Sequence, residues 1–164
     1  VNLRPATLAV LLADIAASVA RAKVRHLAII NFHGGNWALK SIIRDINRQQ
    51  DEVIVHVFSP YEGVPGLSLG GDLHSGDFET SVWLHIHPEL VRPGLRDCVP
   101  DISPALLDQV GVRAVSPEGQ WGPASRATAE RGERDVAWMI TDAVRRIREA
   151  VAQVDALRGK EKGQ

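Results

Sequence analysis

Residues 24–36 read VRHLAIINFHGGN, an apolar run that ends in a histidine and two glycines before the chain turns amphipathic again. The run is too apolar for a surface hairpin and has the length of a strand, so residues 24–31 are expected to lie inside a sheet covered on both faces. Upstream, Pro5 suits the first turn of a helix, and Leu8, Leu11, Leu12, Ile15 and Val19 recur at helical spacing over residues 4–22. Downstream, Trp37 to Arg48 resume a helical period, and VIVHVF at 53–58 is a second apolar strand. Helix, strand, helix, strand in this order predicts an α/β fold with a mostly parallel sheet flanked by helices and right-handed crossovers. Ligands of such sheets bind beyond the carboxyl ends of the strands, which is where His33 stands.

Residues 59–76 hold two prolines and five glycines and are expected to form a long loop. DFETSVWLHIH then reads as a helix opened by Asp77 and Glu79 and ended by Pro88. Residues 92–126 are irregular by pattern, with a short helix expected at SPALLDQV. Residues 127–157 form a long helix whose stripe is Val136, Ile140, Val144, Ile147 and Val151, and 158–164 read as a frayed tail. No repeat or linker divides the chain, so residues 1–164 are expected to form a single domain.

The chain has 164 residues, 45% of them hydrophobic, and a formal net charge of −1. A nearly neutral chain offers no long-range attraction to nucleic acid or an anionic membrane, so neither partner is expected. Cys98 is the one cysteine, which rules out an intrachain disulfide and a cysteine-rich zinc site. Without a membrane-length apolar run or a signal-peptide pattern, the expected compartment is the cytoplasm. The chain opens VNLRPATL, without Met and already entering a helix, as a fragment of a longer protein would.

Two clusters could carry chemistry. His33 is a metal ligand, a catalytic base or a residue that only caps its turn; the glycines after it match no phosphate-binding loop. Asp72-Leu73-His74-Ser75-Gly76-Asp77-Phe78-Glu79-Thr80-Ser81 packs three carboxylates, a histidine and three hydroxyls into ten residues. Asp77 and Glu79 could serve only the helix dipole, and Asp72 only the turn. His74 is harder to explain by packing and reads as a general acid/base. His85 and His87 suit a helix C-terminus, and His26 and His56 suit sheet packing. Trp37, Trp83 and Trp138 are expected in the core. Trp121 could line a pocket or staple the surface, and Cys98 reads as an inert thiol.

NFHGGN, its spacing to DLHSGDFETS, the following HPELV and the late WGPASRATAERG together resemble the creatininase (creatinine amidohydrolase) family over nearly the whole chain. The resemblance implies a layered α/β fold, two divalent metal ions (zinc, with manganese or iron as alternatives) and hydrolysis of a C–N bond in a cyclic or linear amide outside ordinary peptide bonds. It makes His33 and Glu79 metal ligands, makes His74 the residue that handles the leaving nitrogen's proton, and sets Gly34, Gly35, Asp72 and Leu73 along a small amide substrate. It also implies a homo-oligomer, a hexamer in the family. Gly34 and Gly35 stand where creatininase itself has an aromatic residue and a glutamate, which argues against creatinine as substrate. The family's upstream ligands, a Glu, a His and a bridging Asp, have no counterpart here, so the chain is expected to be the C-terminal part of an incomplete fold and inactive alone. Peptide trimming of the mycofactocin-maturation type and a non-catalytic structural role are the alternatives.

Overall fold

The computed structural model describes residues 3–67 and 71–161. They form two compact units, one from Val1–Glu62 and Asp142–Gln164, the other from Gly63–Thr141.

The first unit is built on the expected β-α-β segment. Helix α1 spans Pro5–Arg21, strand β1 His26–Ile30, helix α2 Leu39–Gln49 and strand β2 Ile54–Phe58. The strands pair in parallel, with His26 opposite Ile54 and Ile30 opposite Phe58. Ala16, Leu39, Ile43, Ile46, Val53 and Val55 form the core, against which Leu8, Leu12, Leu27 and Val57 pack. The helical period at Leu39, Ile43 and Ile46 thus points three side chains at one sheet face. Trp37 corrects one expectation: α2 starts at Leu39, so Trp37 stays in the preceding turn and is 73% exposed.

The first part of the outer edge of β2 is covered by two carboxamides. Asn47 Nδ2 donates to Val55 O (2.8 Å) and Asn47 Oδ1 accepts from Val55 N (2.9 Å). Gln50 does the same for Val53, at 2.6 and 3.0 Å. Each side chain stands in for a neighbouring strand at backbone groups that would otherwise lack partners. Asn47→Ala strands the N–H and C=O of buried Val55 and is expected to cost about 2 kcal/mol, read as a lower urea midpoint at unchanged slope.

Helix α6 runs Ala129–Glu161, beyond the expected end, and includes most of the stretch read as a frayed tail; residues 162–164 lie outside the described residues. In the first unit it meets the sheet through polar contacts. Asp155 Oδ1 lies 3.1 Å from His26 Nε2, Arg146 Nη2 donates to Ser59 O (3.0 Å), and Arg158 Nη1 donates to Asp51 O (2.7 Å). His26 Nδ1 is 3.1 Å from His56 Nε2, and the rings stack. Burial, then the charge of His26, holds His56 below the ordinary histidine value.

The second unit contains helix α3 (Asp77–Ile86), the short helices α4 (Leu107–Val110) and α5 (Val112–Val115), and a two-residue antiparallel ladder of β3 (Asp97–Cys98) with β4 (Gly122–Pro123). Ser81, fully buried on α3, accepts a hydrogen bond from Thr128 N (3.0 Å) just before α6. Trp83 lies two positions on, so it turns away from that face and is 51% exposed, against the expectation of a core residue. The expected stripe on α6 is likewise incomplete: Ile140 and Val144 are exposed, whereas Gly132, Asp135 and Met139 are buried. Asp135 tolerates burial because Arg131 lies 3.3 Å from it. No described helix is long and apolar enough to cross a membrane.

Candidate functional site

The two sequence clusters fall in different units, His33 in the first and Asp72–Ser81 in the second. After β1 the chain makes a turn tied to its own side chains. Asn31 Oδ1 accepts from His33 N (3.3 Å) and Asn36 Nδ2 (2.9 Å), and His33 Nδ1 accepts from Gly35 N (2.8 Å). With Nδ1 an acceptor, a neutral His33 carries its proton on Nε2. A Cβ on Gly35 would come within 2.7 Å of the His33 ring, whereas one on Gly34 would meet nothing within 4 Å. Only the second glycine is therefore demanded by the histidine.

In the second unit Leu73 and His74 are pinned from behind. Trp121 O accepts from Leu73 N (2.8 Å) and His74 N (3.0 Å), and Trp121 N donates to His74 O (2.7 Å). Trp121 is 2% exposed, neither a surface staple nor an open pocket wall. The next residue, Ser75, takes a positive φ of 53°, uncommon for a residue with a side chain. This bend directs Ser75 N–H onto Glu79 Oε2 at 2.6 Å. The same oxygen is 3.4 Å from His74 Nδ1, ion-pair range rather than a hydrogen bond. One strained turn thus places an imidazole and a carboxylate together on partly exposed surface, with His74 Nε2 on the far side of the ring.

Asp72 caps α3: its Oδ2 accepts from Phe78 N at 2.8 Å. Burial first, then a hydrogen bond and charge from Asp77, push its carboxyl up to about 7, against the opposing pull of Phe78 N–H and Arg131. Asp77 is itself held by Arg131 Nη1. Asp72 and Asp77 line an open cleft of about 330 Å3 with Val99, Pro123 and Arg126.

The raised value has a stability consequence. Folded Asp72 keeps a proton that the unfolded chain, with its ordinary value of 3.8, releases. Its contribution is complete below pH 4 and is lost as pH rises through about 7. Asp72→Asn should remove this slope, on the order of 2 kcal/mol once solvent screening at the half-buried carboxyl is allowed for. Thermal melts of both proteins at pH 4.5 and 8 check it: the parent loses more stability across that interval than the variant.

Glu79 offers a carboxylate oxygen suited to divalent metal ions, whereas His33 offers an imidazole nitrogen only when the bond from Gly35 N to Nδ1 is given up, because the other ring nitrogen carries the proton. Their number does not fit a two-ion centre: among the described residues no group of three or more His, Cys, Asp or Glu is placed to hold a metal ion. Glu79 Oε2 is engaged by Ser75 and His74, leaving Oε1 for a cation. Sequence reasoning missed Arg131, which ties Asp77 and Asp135 together. Only the Arg131–Asp135 pair, four residues apart on one helix, was there to be read.

The creatinine amidohydrolase (creatininase) family model matches residues 1–147. The mycofactocin precursor peptide peptidase of Mycobacterium ulcerans (strain Agy99) is 38% identical over 127 residues, covering 74% of this chain and 47% of that protein. Its counterpart in Mycobacterium tuberculosis (strain CDC 1551 / Oshkosh) is 34% identical over 139 residues, covering 81% and 52%. The chain therefore spans about half the length of these curated relatives. Among solved structures, a manganese form of creatininase superposes with a TM-score of 0.73 at 25% identity, covering 92% of this chain and 66% of that one. A creatininase variant complexed with creatine gives 0.73 at 27% identity with the same coverage.

Proposed function

The chain belongs to the creatininase family, and we propose that it carries the proton-handling part of a metal-dependent amidohydrolase that cleaves a C–N bond in a cyclic or linear amide. The His74–Glu79 pair carries this reading. An amide nitrogen leaves only if a proton reaches it as the C–N bond breaks. With Nδ1 turned to Glu79, His74 takes a proton from the attacking water and returns it from Nε2 to the departing nitrogen. Glu79 stabilises the imidazolium formed between the two steps, and Ser75 N–H keeps the carboxylate in place. The metal ions of the family, when bound, supply Lewis acidity at the amide carbonyl. The first unit has His33 to offer as a ligand, with Gly34 and Gly35 beside it as substrate-bordering residues; the second has Glu79 Oε1, with Asp72 and Leu73 in that role.

A second reading, trimming of a precursor peptide, is favoured by the names of the relatives at 34–38% identity. Hydrolysis screens with added zinc or manganese, on the full-length protein and on these 164 residues, compare linear peptides with cyclic amides. Turnover by the full-length protein on either class supports the amidohydrolase, and the class hydrolysed selects between the two readings. Absence of metal-dependent turnover supports the non-catalytic role instead. The 164 residues alone are expected to bind metal weakly, to turn over little and to self-associate through exposed apolar residues such as Val10, Leu11 and Ile15. Metal analysis with light scattering checks this: two tightly bound ions in a monomer would overturn it.

A further inference from the structure

On the first unit's sheet Val53 and Val55 belong to the core, so His56 stands on the other face, where it meets His26 of β1, itself in contact with Asp155 of α6. His26 Nε2 lies 3.1 Å from Asp155 Oδ1, His26 Nδ1 lies 3.1 Å from His56 Nε2, and Phe58 stacks on the His56 ring. The number of protons decides whether this row of groups can close. With both rings neutral, His26 Nε2–H donates to Asp155 and His56 Nε2–H donates to His26 Nδ1. One added proton is accommodated by reversal: His26 then carries both N–H groups beside the Asp155 carboxylate, and His56 Nε2 becomes the acceptor. A second added proton sets two N–H groups face to face without an acceptor and brings two cations into contact.

We infer that Asp155, His26 and His56 form an acid-operated latch between the sheet and the C-terminal half of α6, closed while His56 is neutral and opened when both rings are protonated. Arg146 and Arg158 also attach α6 in this unit, but they donate to the backbone oxygens of Ser59 and Asp51, and a guanidinium keeps its charge at any pH near neutrality. Of these three attachments the histidine row is the one that titrates there. The two arginines are engaged with carboxylates as well, Arg146 with Asp142 and Glu62, and Arg158 with Asp51. The charge that acts on His56 is that of His26. Burial first, then that charge, holds His56 below the ordinary histidine value of 6.5. Its contribution to the closed state is therefore complete above pH 6.5 and is lost as pH falls through the lowered value.

Hydrogen exchange of the 164-residue chain at pH 7.5 and pH 5, followed by mass spectrometry and corrected for the intrinsic pH dependence of amide exchange, tests the latch. Protection of residues 148–158 in α6 should fall about fivefold on acidification, the usual worth of one hydrogen bond. Protection of α2, held by the apolar core, should stay constant and serves as the internal reference. His56→Gln places a neutral amide that can donate to or accept from His26, so the acid-induced fall should vanish in that variant. In the parent chain the His56 ring is titrated by NMR, and its midpoint should lie below 6.5 and coincide with the loss of protection. Constant protection of 148–158, a fall shared by α2, a fall that persists in His56→Gln, or a His56 midpoint at or above 6.5 overturns the inference. The ring titration keeps the test decisive where His56→Gln does not fold.

Discussion

Gly132→Ala should lower the melting temperature of the chain by about 6–12 °C, the equivalent of roughly 3 kcal/mol in a protein of this size. An alanine inside a helix ordinarily stabilises it by about 1 kcal/mol over glycine, so the expected sign is the reverse of the rule. The reason is local. A Cβ on Gly132 would sit inside the carbonyl of Ser81 and 2.9 Å from the Cβ of His85, so α3 and the start of α6 touch through backbone at this point. Neither partner is a flexible side-chain tip that can swing aside. Gly159→Ala, in the same helix with nothing within 4 Å of the added carbon, supplies the contrast and should be neutral or slightly stabilising. If both variants melt alike, the close approach of α3 to α6 is not tight.

His74→Ala in the full-length protein should reduce amide hydrolysis by about 10²–10⁴-fold, the usual worth of a positioned general acid/base. On the proposed reading Glu79→Gln removes the charge beside the imidazolium, weakens the hold of Ser75 N–H, and should lower kcat as well. The pair of results separates proton handling from packing, since a merely structural histidine would lower the yield of folded protein and not the kcat of what folds. Unchanged hydrolysis in both variants would remove these residues from the reaction.

Much of the first unit could be read in the chain because β1 and β2 are apolar runs bracketed by helical periods, and periodicity is a local signal. His33 at the end of β1 and the dense segment Asp72–Ser81 were legible for the same reason, since both are short and contiguous. Trp83 misled because pattern alone cannot say which side of a helix meets a partner, and Trp37 because pattern does not fix where a helix starts. β3 and β4 are two residues each, shorter than any period, and escaped notice, whereas the short helix expected at SPALLDQV is present as α4 and the turn that leads into it. The Asp72–Asp77–Arg131 arrangement joins residues 54 positions apart, and only the fold reveals that the helix dipole is not the sole reason for Asp77.

The carboxamides along β2 bear on how copies of this chain can meet. Stacking units one upon the next into a filament requires two open, complementary sides, one to give and one to take. Asn47 and Gln50 answer the outward groups of Val55 and Val53, and among the described residues Val57 is the outward position they leave open. A second strand adding along β2 would have to displace both carboxamides to pair over more than one position, which makes this side a poor place for another copy to extend the sheet.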